Sequence, residues 1–137
     1  MDNGEIIKLR KTMVLAIGVS EEKEILALGY HLYDLRTRKD FGNIDCKTGN
    51  GCTQIEFDDV YAFTGARNDN YVYVWDLRND TQPVGSFYRN ADTSQRMYFS
   101  YDKQSKSLVT GSLDGTITVY DVFNQSIKAH FPLMFDC

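Results

Sequence analysis

One short pattern recurs along this chain and limits what it can fold into. Thr64 to Arg78 reads TGARNDNYVYVWDLR: a strand end, a polar turn, and a second strand closed by Trp75-Asp76. Alternation along that second strand places Tyr71, Tyr73 and Trp75 on one face and Val72 and Val74 on the other. The segment then runs into Arg-Asn-Asp, a turn composition. Thr110 to Val122, TGSLDGTITVYDV, repeats it: Thr110-Gly111 matches Thr64-Gly65, Tyr120-Asp121 matches Trp75-Asp76, and Ile117 and Val119 match Val72 and Val74. A shorter copy lies earlier, in Leu28-Gly29 and Leu32-Tyr33-Asp34-Leu35. The aromatic–Asp pair thus begins at residues 33, 75 and 120.

A period of ~40–45 residues ending in an aromatic–Asp pair is the signature of a WD-repeat β-propeller, with four strands per blade. The expected fold is all-β: a propeller fragment of about three four-stranded blades. Blade one covers about 13–45, blade two about 53–88 and blade three about 96–131. No such unit buries its apolar faces alone, so the blades must stack. No helical pattern of useful length competes. Propellers close with roughly four to eight blades, so the chain reads as a fragment or partial product of a longer one, and Phe131 to Cys137 as the approach to another blade. Within blade three, Arg96 to Ser100 is the inner strand, which makes Tyr98 and Phe99 core residues. Pro83 stands just ahead of an outer strand over Val84 to Tyr88. Only four residues separate Gly29 from Tyr33, against ten from Gly65 to Trp75, so blade one is the least regular.

Composition excludes several functions. No apolar run approaches the ~18–20 residues of a membrane-spanning helix. The opening MDNGEIIKLRKTM lacks the apolar core of a secretory signal, which favours an intracellular location. Cys46, Cys52 and Cys137 form no CxxC pair, and only His31 and His130 are there to help, so reduced thiols are expected rather than a zinc site. GxSxG, HExxH and P-loop patterns are missing from the sequence, and its carboxylates fall in turns and strand closes. No catalytic residue, metal, cofactor or small-molecule substrate is expected.

In ideal WD repeats the turn Asp, a Ser/Thr on the second strand and the Trp on the third form a hydrogen-bonded set, completed by a His before the first strand. Blade two offers Thr64, Asp69 and Trp75, with Asp76 closing the strand. Blade three offers Thr110, Asp114 and Tyr120, with Asp121 closing. The His is missing from both, so substitute partners or water are expected; an unpartnered buried polar group costs ~1–3 kcal/mol. These residues read as structural.

Two kinds of loop, second-to-third strand and blade-to-blade, emerge on the same face of a propeller. Around blades two and three they gather Arg67 and Asn68 from one loop, and Arg89, Asn90, Thr93, Gln95 and Arg96 from the other. Arginines among amides and hydroxyls suit phosphates and base edges. On a chain of net charge −4, the same residues are as readily a solvated rim.

The run GARNDNYVYVWDLRNDTQPVGSFYRNADTSQRMYFSYD, followed by LVTGSLDGTITVYD, resembles the telomerase Cajal body protein family. The matching elements are Gly65-Ala66-Arg67 with Asp69, Trp75 to Arg78, Pro83, Ser94 to Phe99, and Val109 to Ser112. They cover about half of the chain, and the SQR-x-YF element is uncommon among WD repeats. The resemblance implies a nuclear scaffold of Cajal bodies that binds the CAB-box of small Cajal body RNAs and of telomerase RNA, alongside ribonucleoprotein proteins. Arg67, Asn68, Gln95 and Arg96 are the candidate RNA contacts. The alternative is a WD-repeat platform that binds proteins only, through the same face.

Overall fold

The computed structural model describes residues 17–20, 25–28, 31–37, 39–43 and 52–132. These form antiparallel strands and turns, with no helix among them. Strands β1 (Ile17–Ser20), β2 (Ile25–Leu28), β3 (His31–Asp34) and β4 (Lys39–Asn43) make one four-stranded sheet in sequential order. A second sheet joins β5 (Cys52–Asp58), β6 (Tyr61–Ala66), β7 (Tyr71–Asp76) and β8 (Asn79–Tyr88). A third joins β9 (Phe99–Asp102), β10 (Ser107–Gly111), β11 (Thr116–Asp121) and β12 (Ser126–Pro132). Each sheet is one blade.

The alternation along β7 sends its two faces to different neighbours. Trp75 packs with Ile55, Phe57 and Ala62 of its own sheet against Ala27 and Leu32 of the first blade. Val72 and Val74 join Phe63 and Phe87 against Phe99, Leu108 and Tyr120 of the third. Gly18 marks how close the first two blades come: a Cβ there would lie 2.9 Å from the Ile55 carbonyl oxygen.

Polar ties reinforce the contact between the second and third blades. Phe63 stacks on Tyr101 with ring centroids 4.1 Å apart. Beneath them, Asp58 Oδ2 accepts from the Tyr101 hydroxyl at 2.7 Å and from Lys106 Nζ at 2.6 Å. At the other end of the inner strands, the Gln54 amide takes the place of a neighbouring strand. Its Nε2 donates to the Phe99 carbonyl at 2.7 Å and its Oε1 accepts from the Phe99 N–H at 2.9 Å.

The closing aspartates share a local duty. Asp34, Asp76 and Asp121 each accept from backbone N–H groups of the turn that follows: Arg36 at 2.8 Å, Arg78 at 2.9 Å and Asn124 at 3.2 Å. Asp76 is the most strongly held, because Arg78 also donates Nε at 2.9 Å and Nη2 at 2.7 Å. That guanidinium, followed by the Arg78 N–H, lowers the Asp76 carboxyl to about 2.

Several expected boundaries move. Blade one, expected over about 13–45, has its described strands between Ile17 and Asn43; residues 13–16 and 44–45 of that span lie outside the described residues. The outer strand of blade two begins at Asn79 rather than after Pro83. Register shifts on either side of Trp75 set Pro83 opposite it, so the proline sits at an irregularity of the ladder. The inner strand of blade three begins at Phe99, three residues later than expected, and Arg96 to Tyr98 are not strand. Tyr98 is accordingly 64% exposed, not core, whereas Phe99 is buried.

Gln54→Ala orphans the Phe99 amide and carbonyl and should lower stability by about 1–3 kcal/mol, read from the urea midpoint; an unchanged midpoint counts against the bridge. Asp76 should titrate near pH 2 by carboxyl NMR, and Arg78→Ala should bring it back toward its ordinary 3.8. Because the folded value is depressed, this contact stabilises the fold above pH 3.8, and that contribution disappears as pH falls through 2.

Candidate nucleic-acid interface

The aspartate-capped turns lie at one end of the blades. At the opposite end three segments meet: the β6–β7 turn (67–70), the connection from β8 to β9 (89–98), and the β10–β11 turn (112–115). Asn68 has φ 51°, a left-handed conformation that asparagine tolerates, and this turns its N–H onto the Thr93 carbonyl at 2.9 Å. Asn70 holds the start of the connection: its carbonyl accepts from Arg89 N–H at 2.7 Å and its Oδ1 from Ala91 N–H at 3.0 Å. On the blade-three side, Asn90 N–H donates to Ser112 Oγ at 3.2 Å, and Leu113 N–H donates to the Asn90 carbonyl at 2.7 Å. The connection lacks regular structure and is nevertheless bonded to both neighbouring turns.

These bonds bring Arg67 and Asn68 beside the segment carrying Gln95 and Arg96. Asn68, Gln95 and Arg96 are exposed; Arg67 is half-buried, with its Nε enclosed and without a hydrogen-bond partner. The Arg96 guanidinium carbon lies 5.8 Å from the centre of the Tyr98 ring, within cation–π range. An exposed aromatic next to an arginine stacks readily on an unpaired base. Tyr98 lies one residue ahead of the strand that begins at Phe99, so strand alternation does not govern where its ring points.

Arg89, which the sequence places on this rim, is 1% exposed and is a core residue. Asp69 is also buried, at 4% exposure, and its Oδ1 accepts from Tyr71 N–H at 3.1 Å. Burial raises the Asp69 carboxyl above its ordinary value, against the opposing pull of the Tyr71 N–H, the Arg89 charge and the Tyr73 hydroxyl.

The repeat-motif residues behave differently in the two blades. In blade two, Trp75 Nε1 donates to Thr64 Oγ1 at 2.9 Å, both side chains being fully buried. In blade three, the Tyr120 hydroxyl donates to the Tyr88 carbonyl of blade two at 2.5 Å. Thr110 instead donates to the Gly111 carbonyl at 3.2 Å, and Asp114 accepts from Thr116 N–H at 3.1 Å and Thr116 Oγ1 at 2.7 Å. Asp114, Thr110 and Tyr120 therefore do not form one hydrogen-bonded set.

No protein-family model matches the chain. It is 30% identical over 112 residues to the telomerase Cajal body protein 1 homolog of Drosophila melanogaster, a match covering 77% of this chain and 21% of that protein. It is 42% identical over 59 residues to telomerase Cajal body protein 1 of Homo sapiens, covering 43% of this chain and 11% of that one. The chain thus spans about a fifth of the length of the first relative and about a tenth of the second. Among solved structures, the computationally designed Ika8 protein superposes with a TM-score of 0.68 over 89% of this chain and 37% of its own; at 22% identity the likeness is one of fold. Together with the three antiparallel sheets, these similarities make the chain a WD-repeat β-propeller chain of about three blades that resembles telomerase Cajal body protein.

Trp75→Phe leaves the buried Thr64 hydroxyl without its donor and should cost about 2–3 kcal/mol. Adding Thr64→Val, which removes the stranded acceptor, should recover part of that loss. A double-mutant cycle in urea reads the coupling, and strict additivity would refute it.

Proposed function

We propose that this chain is part of a non-catalytic scaffold of the telomerase Cajal body type, binding the CAB-box of small Cajal body RNAs and of telomerase RNA and helping to deliver them to Cajal bodies in the nucleus, with ribonucleoprotein proteins as further partners. The reading takes residues 13–45, 53–88 and 96–131 as the blades and Thr64, Asp69, Trp75, Asp76, Thr110, Asp114, Tyr120 and Asp121 as their structural residues. Arg67, Asn68, Gln95 and Arg96 are the RNA contacts. The observation that carries the reading is the Asn68 N–H to Thr93 carbonyl bond, which joins two segments far apart in sequence into one polar surface. On that surface Arg67 and Arg96 suit phosphates, Asn68 and Gln95 suit base edges, and Tyr98 offers a stacking face.

A second reading, a platform that binds proteins without touching RNA, draws on the other end of the molecule. There a cleft of about 320 Å³ opens between blades two and three, with Phe63, Phe87, Val122 and Phe123 among its lining residues and the Asp58–Lys106 pair on its wall. Pull-down with and without nuclease separates the readings, since partners that survive RNA removal favour the second.

Arg67→Ala and Arg96→Ala should each weaken CAB-box RNA binding and make its dependence on log salt shallower by about 0.7, one single-strand phosphate contact apiece. Unchanged affinity and slope in both variants would rule out these residues as contacts.

A further inference from the structure

Among the described residues, Arg89 is the largest polar side chain that the fold fully encloses. Its Nη1 donates to the Met97 carbonyl at 2.9 Å, while Nε and Nη2 are enclosed without hydrogen-bond partners. A buried guanidinium with idle donors is costly unless something answers its charge. The group that answers is Asp69, whose Oδ2 is likewise enclosed without a hydrogen bond. The Arg89 N–H bonds the carbonyl of Asn70 at 2.7 Å, which ties the backbone of Arg89 to the residue next to Asp69. Burial lowers the Arg89 pKa, and the Asp69 charge opposes that shift. Gly65 leaves the room: a Cβ there would stand 3.0 Å from Arg89 Nη2 and 3.2 Å from the Phe99 ring.

We propose that Arg89 and Asp69, bridged by buried water, form an internal strut that positions both halves of the RNA face, Arg89 acting as a positioning residue and not as an RNA contact. One end of the guanidinium holds the Met97 carbonyl, and with it the segment carrying Gln95 and Arg96. The other end holds Asp69, and with it the turn carrying Arg67 and Asn68. A buried water needs two to four polar partners, and Asp69 Oδ2 with Arg89 Nε and Nη2 supplies an acceptor and two donors. The strut's consequence for RNA rests on the function proposed above; its existence does not.

The test compares Arg89→Met and Asp69→Asn with wild type in the full-length protein. Hydrogen exchange is read at the Asn68 amide without RNA, and single-stranded CAB-box RNA is titrated across a salt series. In both variants Asn68 should exchange about tenfold faster and RNA should bind about tenfold more weakly, as for loss of one buried polar tie. The salt slope should stay unchanged, because no phosphate contact has been removed. A slope that flattens as affinity falls would make Arg89 an RNA contact and overturn the proposal. Unchanged Asn68 exchange would remove the strut, and faster exchange with unchanged affinity would remove its positioning role. If Arg89→Met does not fold, Asp69→Asn decides alone, since it keeps Oδ1 as the acceptor for Tyr71 N–H. A wild type that binds no RNA defeats the RNA reading, while Asn68 exchange still decides the strut.

Discussion

The arrangement of these blades turns on how the middle sheet covers both of its faces. A four-stranded sheet on its own has two apolar sides and one set of neighbours too few. Blade two solves this by sending Trp75 toward blade one and Val72 and Val74 toward blade three. A fully buried Val or Phe contributes roughly 1.5–3 kcal/mol, so the two clusters outweigh any single polar tie between the blades. The polar ties set register instead. Gln54 reads the backbone of Phe99, and Asp58 reads a tyrosine and a lysine, so the inner strands of neighbouring blades meet in one alignment.

The two ends of the blades use their hydrogen bonds differently. At one end each closing aspartate satisfies its own turn and reaches no further, a self-contained arrangement that can be repeated blade after blade. At the other end the turns turn outward, and Asn68, Asn70, Ser112 and Leu113 spend their bonding groups on the 89–98 connection. Local satisfaction serves the scaffold. Shared satisfaction builds a surface, and that is where the candidate RNA contacts lie.

The sequence revealed the parts whose causes are local. Alternation over Tyr71 to Trp75 and its copy over Thr110 to Val122 marked β7, β10 and β11, and the recurrence of the aromatic–Asp pair marked the blades. It failed where a distant partner decides. The start of β9 is set by the side chain of Gln54, 45 residues away, which no pattern within Arg96 to Ser100 records. Arg89 carries a residue type that belongs on surfaces; its Nη1 bond to the Met97 carbonyl, the Asp69 charge and the bare Gly65 beside Nη2 accompany its burial, and none of them can be read from its neighbours in sequence. Tyr98 followed from the same error as β9: one misplaced strand start turned an exposed ring into an imagined core residue. For the candidate site residues, the sequence put Arg67 and Asn68 on one loop and Gln95 and Arg96 on another, but it did not supply the Asn68–Thr93 bond that joins the two segments.

The 89–98 connection has one further consequence. Segments without regular structure usually pay for recognition by giving up motion, since each side chain immobilised on binding costs ~0.5–1.5 kcal/mol. Here the backbone has already made that sacrifice during folding, through Asn68, Asn70, Ser112 and the Met97 carbonyl. Any partner of this surface would meet a backbone already ordered, with only the exposed side chains left to fix.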